Sequence, residues 1–195
     1  MKEKKNNCLV WVVAVVLSAL SLSSCGDMQN EYTVRTAYFI FDNSVHQNTV
    51  LSTAMNINAP GTFCKIKPYM VSSARAYIFE NNYGQSEPSV ENAIDQRRTV
   101  ILGYNNSLIV GFGNLDLPAV FYAYDGECPN CFDPQKLPVH SYPLTMTSAG
   151  LAVCGSCQRE YNMNSGGNIV KGDGGNKMTR YHASCTGPLG TLAVN

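Results

Sequence analysis

From residue 36 to its end, the chain alternates short apolar runs with asparagine, glycine, proline and serine. Runs rich in β-branched and aromatic residues and closed by turn formers read as strands. The pattern predicts strands at Thr36–Phe41, Thr49–Asn56, Thr62–Ile66, Ala74–Phe79, Thr99–Leu102, Leu108–Phe112, Val120–Tyr124, Leu151–Val153, Ile169–Lys171 and Leu192–Val194. Asn105-Asn106, between Leu102 and Leu108, reads as a hairpin turn. Few segments repeat with the 3.6-residue period of an amphipathic helix. Only Pro88–Arg97, opened by Ser89 and Glu91, reads as a short surface helix, and Glu80–Arg98 as a whole reads as an exposed excursion. No internal repeat is present. The expected class is all-β, with one domain over residues 34–195.

The first residues follow another pattern. Lys2, Lys4 and Lys5 precede Leu9–Leu22, fourteen residues that are apolar apart from serines. A membrane-spanning helix needs roughly 20 apolar residues, so this run fits the core of a secretion signal instead. It ends in Leu22-Ser23-Ser24-Cys25-Gly26, which resembles the lipobox of bacterial lipoproteins. That resemblance implies a signal peptide over 1–24, acylation of Cys25 and a polar tether over 25–33. The protein is then expected in the cell envelope, held to the membrane by its lipid on the periplasmic or outer-membrane face. A plain secretory signal that contains a cysteine is the alternative.

Charge narrows the partners. Without residues 1–24 the chain keeps eleven basic and thirteen acidic residues, a formal charge of −2. No basic patch is built, so nucleic acid is not an expected partner. The remaining length is enough to bury a real core.

The densest chemistry lies in two cysteine pairs, Cys128-Pro-Asn-Cys131 and Cys154-Gly-Ser-Cys157, separated by twenty-two residues. Two thiolates three residues apart on a tight turn can grip one metal ion, and two such turns complete a tetrahedron. Cys128, Cys131, Cys154 and Cys157 are therefore the expected metal ligands. Disulfides are the competing reading in an exported protein. Local C-x-x-C bridges close very small loops and stabilise little, whereas cross-pairing between the two turns would staple them together, and free thiols are the remaining reading. Cys64 and Cys185 remain, and a bridge between them is an expectation to test.

From Leu117 onward the chain resembles the Rieske domain family. The residues that carry the resemblance are Ala123-Tyr-Asp125-Gly-Glu-Cys128-Pro129, then Val153-Cys154-Gly-Ser-Cys157-Gln-Arg-Glu-Tyr161. Gly166–Gly172 and a closing strand Leu189–Val194 continue it. Met55–Gly61 and Asn105–Gly111 look like the start of the same domain in small lipoproteins. The resemblance implies a β-sandwich or barrel base with a small cysteine-loop subdomain at 127–161. The ligands depart from the pattern. A Rieske centre takes one Cys and one His from each loop, and here cysteine stands at both histidine places. The histidines that exist are His46, His140 and His182. Four thiolates suit zinc, a single iron, or an all-cysteine [2Fe–2S] cluster. Zinc is the first expectation, in a structural and non-enzymatic role. An iron centre that passes electrons to an oxidoreductase partner is the alternative, and a disulfide-stabilised interaction lipoprotein is the third reading.

Other signals are weaker. Gly166–Gly175 lacks the Gly-Lys-Ser/Thr ending of a phosphate loop, and Gly172–Asn176 carries too little acid for calcium. Neither C-x-x-C is followed by the helix that a thioredoxin site needs. His182 and Cys185 have no orienting third residue. Arg159 and Lys136 flank the cysteines; offsetting the charge of four thiolates and plain solvated positions are equal readings for them.

Overall fold

Every side chain of the strand Leu108–Phe112 is buried, which demands a layer on both faces of its sheet. That strand, β5, lies inside a six-stranded antiparallel sheet. Its other members are β2 (Phe63–Val71), β3 (Ala74–Asn81), β4 (Ser86–Val90), β6 (Phe121–Asp125) and β11 (Arg180–Tyr181), in the order β11-β6-β5-β2-β3-β4. A three-stranded sheet pairs β1 (Phe39–Asp42) with β13 (Thr191–Val194) and β13 with β12 (Ala183–Cys185). A four-stranded sheet runs β10 (Asn168–Lys171), β9 (Glu160–Asn162), β8 (Leu151–Cys154), β7 (Leu144–Met146). The fold is all-β, as expected. The computed structural model describes residues 31–195, which form one compact unit. The signal peptide over 1–24, Cys25 and the tether as far as residue 30 lie outside the described residues. Among the described residues no helix is long and apolar enough to cross a membrane.

Strand alternation feeds two cores from one sheet. Leu108, Val110, Ile66 and Ala123 point to the first, where they meet Phe39, Phe41, Leu192 and Val194 of the three-stranded sheet. Phe63, Ile109, Tyr122 and Tyr124 point to the second. There they meet Leu144, Ala152, Tyr161 and the cysteine loops. The central sheet is thus the platform on which the small four-stranded sheet is mounted. Lys65 reinforces the mounting, since its ammonium donates to the carbonyl of Leu144.

Four expectations need correction. Thr49–Asn56 is not a strand: Thr49–Ala54 forms a helix (α2, after the single turn α1 at Asn43–His46). Its buried Val50, Leu51 and Ala54 recur with helical spacing, and the Asn48 side chain caps it by accepting from Leu51 N at 2.8 Å. Pro88–Arg97 is not one helix: Ser86–Val90 is β4, with Pro88 opposite Ile78 on the edge of the sheet, and only Asp95–Arg97 forms a single 3₁₀ turn. An edge strand tolerates the missing proline N–H. Glu80–Arg98 is not an exposed excursion, because Asn81, Asn82, Ser89, Glu91 and Asp95 are buried. Asp95 there meets His46 at 2.8 Å. Thr99–Leu102 contributes only an isolated bridge, Ile101 to Tyr38, so Asn105-Asn106 turns the chain without joining two strands.

The end of the expected tether is also docked. Thr33 N donates to Arg180 O at 2.9 Å. Tyr32 stacks on His182 at 3.7 Å, and the Arg180 guanidinium lies over both Tyr32 and Tyr122.

Candidate metal centre

Both cysteine loops leave the end of a strand and fold back through the same turn. After β6, Asp125 accepts from Glu127 N at 2.8 Å, and the Glu127 carboxylate takes up Ser141 Oγ and Asn105 Nδ2. These bonds aim the chain so that Cys128 N reaches Tyr142 O. Phe132 N then donates to Cys128 O at 2.9 Å. After β8, Gln158 N donates to Cys154 O at 3.0 Å, and Gln158 takes the left-handed conformation that returns the chain into β9. In each loop an amide four residues on closes over the first cysteine, so both thiols of a pair face one side.

The four sulfurs meet. Cys128 Sγ lies 3.7 Å from Cys157 Sγ and Cys154 Sγ lies 3.8 Å from Cys131 Sγ. All four fall within 4.8 Å of one another. A metal about 2.3 Å from each sulfur of a tetrahedron puts neighbouring sulfurs roughly 3.7 Å apart, so the spacing suits one ion. Cys128 and Cys154 are buried, whereas Cys131 and Cys157 are half-buried. The donor set is soft and tetrahedral, which zinc and iron both accept.

Electrostatics set Cys128, Cys131 and Cys157 apart. Burial, with the neighbouring sulfurs of Cys157 and Cys128, pushes the Cys131 thiol up to about 12. Burial also raises Cys128. At Cys157 burial works the same way, but hydrogen bonds from Arg159 and the adjoining thiols outweigh it and bring the thiol down to about 6. Four adjacent thiols cannot all ionise unaided, and a cation at their centre removes that obstacle.

A hydrogen-bond chain surrounds Cys128. Asn176 N, which can only donate, is 2.8 Å from Asn130 Oδ1. That contact fixes the amide, so Asn130 Nδ2 donates to Asn176 O at 2.7 Å and to the Tyr161 hydroxyl oxygen at 2.9 Å. The Tyr161 hydroxyl lies 3.2 Å from Cys128 Sγ and donates to it when Cys128 is a thiolate. Arg159 holds the same glycine-rich loop, donating from Nε to Asp173 O and from Nη2 to Gly174 O. Gly175 has no side chain for a steric reason, since a Cβ there would sit 2.3 Å from Asn130 Oδ1. The Gly172–Asn176 stretch is therefore packing for the cysteine loops.

The sequence pointed to the four cysteines and to Arg159. It did not reveal Asn130 or the hydroxyl of Tyr161 as partners; the polar residue inside Cys-Pro-Asn-Cys was the available signal. Lys136 is exposed on the loop after Cys131. Cys64 and Cys185 form no disulfide: Cys64 sits in the first core and Cys185 packs against it as a free thiol. His182 is stacked on Tyr32. Comparison with known proteins found no matching family model, no matching curated protein and no matching solved structure.

Proposed function

We propose that this is a lipid-anchored cell-envelope protein whose Rieske-like domain uses Cys128, Cys131, Cys154 and Cys157 to hold one structural zinc ion. The observation that carries the metal reading is the convergence of four sulfurs within 4.8 Å. The Rieske-like reading is supported by the arrangement around them. Strand β6 ends in Ala123-Tyr-Asp125 and leads through the first cysteine loop into a small sheet placed between β6 and β11 in the chain, and the second loop joins β8 to β9 of that sheet. Zinc would tie the two loops together, and its redox silence fits a non-enzymatic role. The lipid anchor rests on the lipobox at Leu22–Cys25.

A second reading, electron transfer through a single iron to an oxidoreductase partner, is favoured by the half-exposed edge at Cys131 and Cys157. That edge gives electrons a short path to the surface. An all-cysteine [2Fe–2S] cluster fits less well, because its iron–sulfide core would hold the two pairs further apart than these sulfurs lie. Protein purified without air and analysed for metal separates the readings. One equivalent of zinc and a colourless solution are expected, while one equivalent of iron with visible absorption selects the second reading. Metal-free protein without titratable thiols refutes both in favour of disulfides. Fatty-acid labelling that is lost in Cys25→Ser, with release from membranes, tests the anchor.

A further inference from the structure

A second feature lies at the β2–β3 hairpin of the six-stranded sheet. A cavity of about 320 Å³ opens where the β2–β3 hairpin faces the segment from Glu91 to Asn106. Pro68 pairs with Tyr77 and Met70 with Arg75, so these four line one face, and Val100 and Leu102 supply further apolar wall. Its volume lies at the small end of the roughly 300–1,000 Å³ of ligand sites.

The Glu91 carboxylate is the unusual group. Its side chain is 2% exposed. Its Oε2 has no hydrogen-bond partner among the described residues, although a buried carboxylate oxygen costs free energy when left so. Its nearest cation is Arg75, whose Nε is 3.2 Å from Oε2 without an aligned bond and whose side chain is 61% exposed. Arg75 therefore covers the carboxylate loosely from the solvent side, and little holds it there. The Tyr77 phenol, kept protonated by burial and by this carboxylate, faces it from the core.

We propose that the cavity binds an alkylammonium group, with the N–H donors on Glu91 and the aliphatic chain along Pro68, Met70, Val100 and Leu102. A buried anion calls for a cation, and the walls are aliphatic. A primary ammonium carries three donors that rotate to suit, so it satisfies Oε2 where the rigid guanidinium fork does not. Arg75 then acts as an internal surrogate that the ligand displaces into solvent. The same chemistry is offered by a free diamine and by a lysine side chain of a partner protein.

Calorimetric titration of the purified full-length protein tests this with 1,5-diaminopentane, Nα-acetyl-lysine methylamide and 1-pentanol. Binding of either amine with no detectable binding of the alcohol is the expected result. Binding of the diamine alone assigns the site to free amines, and of the lysine derivative alone to a protein partner. Glu91→Gln should weaken binding at least tenfold. Met70→Trp, at a position 55% exposed and therefore harmless to folding, should block the mouth and abolish it. Arg75→Ala should tighten binding severalfold, because it removes the competing cation. Failure of both amines, equal binding of pentanol, or loss of binding in Arg75→Ala overturns the proposal.

Discussion

Replacing Tyr161 by Phe removes one oxygen from the cysteine centre and leaves the buried ring in place. The oxygen accepts from Asn130 at 2.9 Å and sits 3.2 Å from Cys128 Sγ, so its proton goes to the sulfur once Cys128 is a thiolate. A donor favours thiolate over thiol, hence the metal-bound state over the metal-free one. A hydrogen bond to a charged group contributes about 1.5–3 kcal/mol, against about 0.5–1.5 kcal/mol for a neutral pair. The difference falls on metal affinity, on the order of tenfold, and outer-shell partners of metal ligands typically matter by about 10- to 100-fold. Competition with a chromophoric chelator measures the affinity, and urea unfolding of the metal-free protein measures the remainder. We expect Tyr161→Phe to weaken metal binding about tenfold while metal-free stability falls by no more than about 1.5 kcal/mol. Unchanged affinity, or an equal loss of stability with and without metal, refutes the directed hydrogen bond.

Other outcomes follow from the same geometry. In the metal-free protein Cys157 should be the first thiol alkylated, with a pH midpoint near 6, while Cys131 stays protonated up to about 12. Because the folded value of Cys157 lies below its ordinary 9.0, its ionisation favours the fold above about pH 9, and that contribution is lost as pH falls through about 6. Arg159→Ala should move this midpoint upward, which alkylation rates read directly; an unmoved midpoint removes Arg159 from the account. Asn48→Ala should cost about 1 kcal/mol in chemical unfolding by uncapping α2. Phe79→Ala, at a fully buried site of the first core, should cost about 3–5 kcal/mol; a value under 1 kcal/mol would place that side chain elsewhere.

Alternation and turn chemistry determined much of this protein before any folding is considered. Short apolar runs such as Leu108–Phe112, buried on both faces, and Ala74–Phe79 are strands because their β-branched and aromatic residues must face a core, and Asn, Gly and Pro end them. The three-residue spacing of each cysteine pair likewise determined that two thiols share a turn. What failed was local and explicable. Thr49–Ala54 has β-branched residues that read as strand, yet Asn48 capping and the need to bury Val50, Leu51 and Ala54 together select a helix. Pro88 reads as a helix start but sits on a sheet edge, which only the strand order reveals. Tertiary structure alone decided that the two cysteine turns face each other, since their convergence depends on how β7–β10 is mounted on the central sheet. It also placed Asn130, Tyr161 and Asn176 in one chain of hydrogen bonds. Partners 31 and 46 residues away from Asn130 leave no trace in local pattern. Such contacts are set by packing, whereas the sequence pattern reports only the period of each element.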